Sequence, residues 1–398
     1  MQTRKRQKNY EPDDLETIFK SLNIEEEVQP QQQYIGKGGY GITFVPAFPC
    51  LNGKRYKGIG KVFIDEGYAA EEWDISQKIK KIEKGTSQKY FTYPKEICYI
   101  DFQKSVELQP KLLDFYKTKF TEIPKELPQL IMDYSGMTID YYIQTYYKNG
   151  IDRLSLLYLL ENLFYGVKRL LDHGYVHQDI KTANIIVSNK MRLRLIDFGL
   201  MMDKNDFYEN NWLIGAEYFY VCAPEYNMFF MDPYKLLDLG YDQVVNWYKK
   251  DSDPTFIDRL YAFTTNSNLD IRFGLMNATT VEQRIKYFKD HKIHEKVDLF
   301  SIGLLIVRLA IYLIPESTEP EPVVGLFVNL VCSLLRLDPN ERITIDGALK
   351  YIRLVHDNTP DIFKKNKDPQ EMSQFLSRFG KKRSKIEEIN KDIAFLKC

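Results

Sequence analysis

The sequence predicts an α+β fold in which a small strand-rich region precedes a larger helical one. From Tyr34 to Asp133 the apolar runs are short and strand-like: Tyr34-Ile35, Ile42 to Val45, Gly58 to Ile64, Glu96 to Phe102 and Leu130 to Asp133. One helical pattern interrupts them at about Ala69 to Lys84, where Ile75, Ile79 and Ile82 recur at spacings of four and three. From Ile139 onward helical patterns dominate. Leu154 to His173 is amphipathic, whereas Val297 to Leu313 and Val323 to Leu337 are apolar, with short strands at Ile185 to Val187 and Leu193 to Ile196. Strands first and helices afterwards is the order of an α+β chain.

The flanks read differently. Residues 1–33 begin basic, turn acidic at Glu25-Glu26-Glu27 and end in glutamines, an arm with one short helix around Leu15 to Leu22. After His356, Lys364, Lys365, Lys367, Arg378, Lys381, Lys382, Arg383 and Lys385 make 357–398 a basic tail, with a short helix at Ile386 to Leu396. That tail is the one place where nucleic acid or an acidic partner is expected; a solvated helix face is the plainer reading.

Composition narrows the class. A chain of 398 residues with 44% hydrophobic content can fill a real core. Lys+Arg and Asp+Glu balance at 55 each, which argues against a nucleic-acid footprint over the whole chain. The five cysteines are scattered and form no C-x-x-C, so free thiols in a reducing compartment are expected, with no zinc site. No apolar stretch follows the basic residues of Met1 to Tyr10, so no signal peptide is expected. The apolar run Leu299 to Ile314 contains Arg308 and is short for a membrane span, so it reads as a buried helix. A cytoplasmic protein with no membrane span is the expectation.

The chemistry concentrates in His177-Gln178-Asp179-Ile180-Lys181-Thr182-Ala183-Asn184, followed by Asp197-Phe198-Gly199. Asp179 can accept a hydroxyl proton and Lys181 can balance charge on a moving phosphoryl group. Asn184 and Asp197 are the hard oxygen ligands that Mg²⁺ prefers. Phosphoryl transfer needs this inventory, because its catalysis is mostly positioning and charge neutralisation. Upstream, Gly36-Lys37-Gly38-Gly39-Tyr40-Gly41 is a G-x-G-x-x-G whose backbone N–H groups can approach phosphates. A strand rather than a helix follows it, which argues against a dinucleotide-binding site.

Together these motifs resemble the catalytic core of a eukaryotic-type serine/threonine protein kinase. The resemblance runs from about Tyr34 to His356 and extends to Ala223-Pro224-Glu225, to Asp298 in Val297-Asp298-Leu299-Phe300-Ser301-Ile302-Gly303, and to Arg342. It implies a protein-kinase-like bilobed fold: a small antiparallel-sheet N-lobe (34–133) with one main helix, and a larger, mostly helical C-lobe (134–356). It implies ATP and Mg²⁺ as cofactors, with the nucleotide held by Ile35, Gly36, Gly38, Gly41, Thr43, Ile59 and Lys61. Met132 would be the gatekeeper, with Asp133, Tyr134 and Ser135 pairing with adenine. Lys61 would hold phosphates, fixed by Glu71 or Glu72, which the helical pattern does not separate. Asp179 and Lys181 would be catalytic, Asn184 and Asp197 metal ligands. Asp298 would brace the catalytic loop, and Arg342 would pair with Glu225.

The departures from the family pattern are as informative. Gln178 replaces the arginine that reads a phosphate on the activation segment, and Leu200 to Cys222 contains no serine or threonine, only Tyr208, Tyr218 and Tyr220. Activity is therefore expected not to wait for phosphorylation there. Thr43 and Ile59 replace the usual adenine-roof residues, and Tyr218 stands where the family has a threonine. An insert, 228–295, carries expected helices at Tyr234 to Tyr248 and Thr280 to Phe288, and is a candidate docking surface for a protein substrate. These flanks and the insert resemble divergent kinases of large DNA viruses or protists. The alternative reading, an ATP-binding scaffold without catalysis, normally accompanies loss of the lysine or of either aspartate, and all three are present.

Overall fold

Strands of β-branched and aromatic residues build the first part of the chain. The computed structural model describes residues 32–84, 88–118, 122, 124–188, 192–210, 223–248, 254–264, 267–316, 319 and 321–358. The expected arm helix, the tail and the tyrosines Tyr218 and Tyr220 lie outside these residues. The chain divides into two units, Met1–Gln77 with Tyr93–Tyr134, and Lys78–Thr92 with Ser135–Cys398.

In the first unit, β1 (Gln33–Lys37), β2 (Gly41–Val45), β3 (Ile59–Phe63), β4 (Glu96–Asp101) and β5 (Glu126–Met132) form one antiparallel sheet in the order β1-β2-β3-β5-β4. Alternation along these strands gives the sheet two distinct faces. On one face Ile42, Phe44, Val62, Ile100 and Leu127 are buried with Phe102, Leu112, Phe115 and Tyr116. The last four belong to two short helices, Phe102–Leu108 and Lys111–Lys117. The sequence reading missed both helices and assigned Phe102 to a strand. The helix Phe102–Leu108 starts where the Asp101 carboxylate accepts from the Lys104 N–H. On the other face, Phe63 and Leu130 pack against Ala69 and Trp73 of the main helix, Glu66–Glu83.

Gln129, wholly buried in β5, accepts from the Phe48 N–H at 2.9 Å and donates to its carbonyl at 3.0 Å. It fits only because residue 60 has no side chain: a Cβ on Gly60 would overlap the Gln129 amide oxygen and sit 2.9 Å from the Ala47 methyl. Gly60→Ala is expected to destabilise the protein by about 1–3 kcal/mol. Thermal unfolding checks this, and an unchanged midpoint would contradict the packing described.

The thiol expectation is corrected here. Cys50 and Cys98 form a disulfide, their Cα atoms 5.8 Å apart, and Cys332 is disulfide-bonded as well. The pairing arises because the loop after β2 returns beside β4, an adjacency that sequence spacing does not reveal. It removes the free-thiol argument for a reducing compartment.

The second unit is mostly helical. Its long helix, Arg153–Asp172, is capped by Asp152, which accepts from the Ser155 N–H at 2.8 Å. This helix buries a leucine-rich face against Glu321–Leu334 and Ile345–Asn358. The helix Val297–Leu309 is buried almost all round, as expected for a central core element. Among the described residues no helix is long and apolar enough to cross a membrane. Short strands complete the unit: β6 (Met137–Thr138), β7 (Tyr175–Val176), β8 (Ile185–Val187), β9 (Leu193–Leu195) and β10 (Met202–Asp203), with β6-β8-β9 and β7-β10 paired antiparallel.

The described part of the insert is folded. Thr280 and Gln283 form a capping box at the start of Val281–Asp290, close to the expected helix. The expected helix Tyr234 to Tyr248 is instead two, Pro233–Leu237 and Tyr241–Asn246, broken before Gly240. Helices Pro254–Thr264 and Ile271–Asn277 were not foreseen. Leu236, Val244, Ile271, Leu275 and Phe288 of the insert are fully buried, and Asp338 accepts from the Ile271 N–H at 2.6 Å. The insert is thus part of this unit's core.

Candidate active site

In the first unit the site is set by the sheet register. Thr43 lies opposite Lys61, Lys61 opposite Leu130, and Ile59 opposite Met132, so these side chains share one face. Thr43, Ile59 and Met132 are half-buried. Ile35 sits in the bulge of β1, and Gly36 lies opposite Thr43. The hairpin tip is closed by the Gly38 N–H donating to the Gly41 carbonyl at 2.8 Å. Gly41 passes directly over the lysine stem: a Cβ there would stand 3.2 Å from Cε of Lys61 and 3.3 Å from its Cγ. A Cβ at 41 would therefore require the Lys61 stem to give by a few tenths of an ångström.

The open choice of partner is decided by geometry. Lys61 Nζ lies 2.6 Å from Oε2 of Glu72, a pair with both side chains mostly buried. Glu71 points to solvent. Asp133 is ion-paired through its side chain with Lys95, and the chain passes from the first unit to the second between Tyr134 and Ser135.

In the second unit the catalytic loop is held from below by Asp298. This fully buried carboxylate accepts from the His177 N–H at 2.8 Å through Oδ2 and from the Gln178 N–H at 2.9 Å through Oδ1. Burial pushes the Asp298 carboxyl up to about 6, against the pull of those two backbone donors. Lys181 Nζ reaches both Asp179 oxygens, at 2.9 Å (Oδ2) and 2.8 Å (Oδ1). Asn184 Nδ2 donates to the Asp179 carbonyl at 3.0 Å and to its Oδ2 at 2.7 Å. Burial raises the Asp179 carboxyl above the ordinary carboxylate range, while the hydrogen bonds from Lys181 and Asn184 lower it. A carboxylate that is buried, oriented from two sides and raised in basicity suits proton acceptance.

Pairing of β8 with β9 sets Ile185 opposite Leu195, and the Ile196 N–H donates to the Asn184 carbonyl at 3.0 Å. Asn184 and Asp197 thus stand at adjoining ends of one hairpin. Asp197 has a left-handed backbone, φ 59°, and is exposed, while the next residue, Phe198, is buried. The Phe198 ring lies 5.7 Å from Phe91 and 5.1 Å from the His177 imidazole. Burial keeps that imidazole neutral, its pKa pushed down to about 4. Packing Phe198 inward therefore turns the Asp197 carboxylate outward.

These residues fit Mg²⁺. Both Asn184 amide hydrogens are directed at Asp179, which leaves the amide oxygen for a cation, and Asp197 adds an exposed carboxylate. Among the described residues no cluster of three or more His, Cys, Asp or Glu could cage a metal. Mg²⁺ typically takes one or two protein oxygens and completes its shell with water and phosphate.

The segment that begins at Asp197 ends at Glu225. Arg342 grips it through two parallel hydrogen bonds, Nη1 to Oε1 at 2.7 Å and Nη2 to Oε2 at 3.0 Å, both side chains fully buried. Arg342 also donates to the carbonyls of Arg336 and Lys296. Two partners went unnoticed in the sequence. Lys296 donates to the Arg342 carbonyl at 2.6 Å, and burial pushes its ammonium down to about 8. Tyr226 donates to the Gln178 side chain at 2.8 Å. Neither stands in a pattern that marks it.

Comparison with known proteins agrees with this geometry. The protein kinase domain family matches residues 70–227. That stretch contains the catalytic loop, Asp197 and Glu225; the glycine hairpin, Lys61, Asp298 and Arg342 lie outside it. The chain is 26% identical over 196 residues to serine/threonine-protein kinase PSK1 of Saccharomyces cerevisiae, covering 46% of this chain and 13% of that protein. It is 22% identical over 212 residues to stress-activated protein kinase jnk-1 of Caenorhabditis elegans, covering 50% and 42%. Over 74 residues it is 35% identical to the stress-activated protein kinase JNK of Suberites domuncula, 19% of each chain. The matches span less than half the length of these relatives.

Proposed function

We propose that this chain, which belongs to the eukaryotic-type protein kinase family, transfers the γ-phosphoryl group of ATP to serine or threonine hydroxyls of protein substrates. The observation that carries this reading is the Asp179 carboxylate, held by Lys181 and Asn184 in a loop braced by Asp298. In this reading Asp179 orients the acceptor hydroxyl and takes its proton. Lys181, already beside that carboxylate, balances charge on the oxygens of the transferred group. Lys61, kept in line by Glu72, holds the α- and β-phosphates, and the backbone of the glycine hairpin covers them. Ile35, Thr43, Ile59 and Met132 would face the adenine, and backbone groups of Asp133 to Ser135 would pair with it. Asn184 and Asp197 are the metal ligands; Mg²⁺ bound there would neutralise charge on the phosphate oxygens. The serine/threonine preference is supported by Lys181, two residues after Asp179, where tyrosine kinases usually differ.

Displacement of a fluorescent nucleotide tests the binding half of this reading. Lys61→Met is expected to weaken Mg·ATP binding about tenfold or more, the usual size for loss of a charge-assisted hydrogen bond. Asp197→Asn is expected to remove the dependence of affinity on Mg²⁺. Wild-type affinity in Lys61→Met, or unchanged Mg²⁺ dependence in Asp197→Asn, would contradict the assignments.

A further inference from the structure

Gln178, the residue before Asp179, has a left-handed backbone with φ 67°. For a non-glycine residue this conformation is strained and persists only where neighbours over-determine it. Here they do. The Gln178 main-chain N–H is held by Asp298. Its side-chain Nε2 donates to the Leu200 carbonyl at 2.8 Å, and its Oε1 accepts from the Tyr226 hydroxyl at 2.8 Å. Leu200 directly follows Asp197-Phe198-Gly199, and Tyr226 directly follows Ala223-Pro224-Glu225. One buried amide therefore connects both ends of the segment to the residue next to Asp179. The amide suits this place because it can both donate and accept without charge. Arginine would bring donors only, and a buried charge that needs an anionic partner.

We propose that Gln178 is a positioning residue that fixes both ends of the 197–225 segment against the catalytic loop by neutral hydrogen bonds, so that the arrangement around Asp179 forms without a phosphate on the segment. This rests on the kinase reading above. Gln178 acts through Asp179 and the segment ends, and contacts neither nucleotide nor acceptor.

Steady-state kinetics of the full chain test it. Wild type treated with a phosphatase is expected to keep its kcat. Gln178→Ala, which loses two hydrogen bonds, is expected to lower kcat about tenfold with KM for ATP unchanged. Gln178→Gly relieves the left-handed strain, so it should melt no lower than Gln178→Ala yet be as slow, which separates positioning from folding. In Gln178→Glu the carboxylate still accepts from Tyr226 but repels the Leu200 carbonyl, and only the protonated acid restores the donor. The ratio of its kcat to that of wild type should therefore rise as pH falls. Asp298, Asp179, His177 and the Tyr226 hydroxyl adjoin this position, and the same profile for Gln178→Ala, which places no acid there, separates the new carboxyl from them. Full activity in Gln178→Ala, a ratio flat with pH, or loss of activity after phosphatase treatment would overturn the proposal. Absence of transfer by wild type under all conditions would instead overturn the kinase reading, and this proposal with it.

Discussion

Asp179→Asn is expected to lower kcat for phosphoryl transfer by about a thousandfold, within the range that a positioned acid or base contributes. The amide keeps the size of the carboxylate but cannot take a proton. It also turns one of the two positions now contacted by Lys181 and Asn184 from acceptor to donor, which puts like against like at 2.7–2.9 Å. The affinity for Mg·ATP should hold within about twofold, because a group used only in the transition state leaves ground-state binding untouched. Folding should hold as well, since the bracing by Asp298 acts on the main chain of His177 and Gln178. Rapid-quench measurement of the chemical step, alongside nucleotide binding, distinguishes the two quantities. A kcat within tenfold of wild type would remove Asp179 from its role.

Arg342→Ala is expected to destabilise the protein by about 3–5 kcal/mol, the cost of removing one partner from a buried ion pair. Neither side chain of the Arg342–Glu225 pair touches solvent, so water cannot take over the abandoned charge. The loss also removes a guanidinium donor from the carbonyls of Arg336 and Lys296. Glu225→Ala should cost a similar amount, because it leaves the guanidinium as the uncompensated charge. The double variant should cost less than the sum of the two, the mark of direct coupling. The midpoint of thermal unfolding reads all three. A loss under about 1 kcal/mol in Arg342→Ala would mean that the pair is not closed to solvent as described.

The geometry of the candidate catalytic loop was legible because residue identity at fixed spacing carries it. Asp179, Lys181, Asn184 and Asp197 need only a short hairpin to meet, and Ile185 to Val187 and Leu193 to Leu195 supply it. Glu71 and Glu72 were not separable, because neighbouring residues on a helix differ by only about 100°. The direction in which the helix presents itself to β3 chose between them. The helices Phe102–Leu108 and Lys111–Lys117 were invisible for another reason: seven residues are two turns, too few for a periodic pattern to emerge. The Cys50–Cys98 pair and the two side-chain bonds of Gln178 depend on tertiary approach, and nothing local announces them. In the insert, the expected helix Thr280 to Phe288 is present as Val281–Asp290, whereas the expected helix Tyr234 to Tyr248 is broken before Gly240.

The central claim is that this site moves a phosphoryl group onto a protein hydroxyl. Transfer of radiolabelled γ-phosphate from Mg·ATP to a generic acceptor such as casein or myelin basic protein, followed by phosphoamino-acid analysis, tests it most directly. The account predicts label on serine or threonine. Label on tyrosine alone would contradict the acceptor class, and tight Mg·ATP binding with no label on any acceptor would contradict the catalytic reading itself.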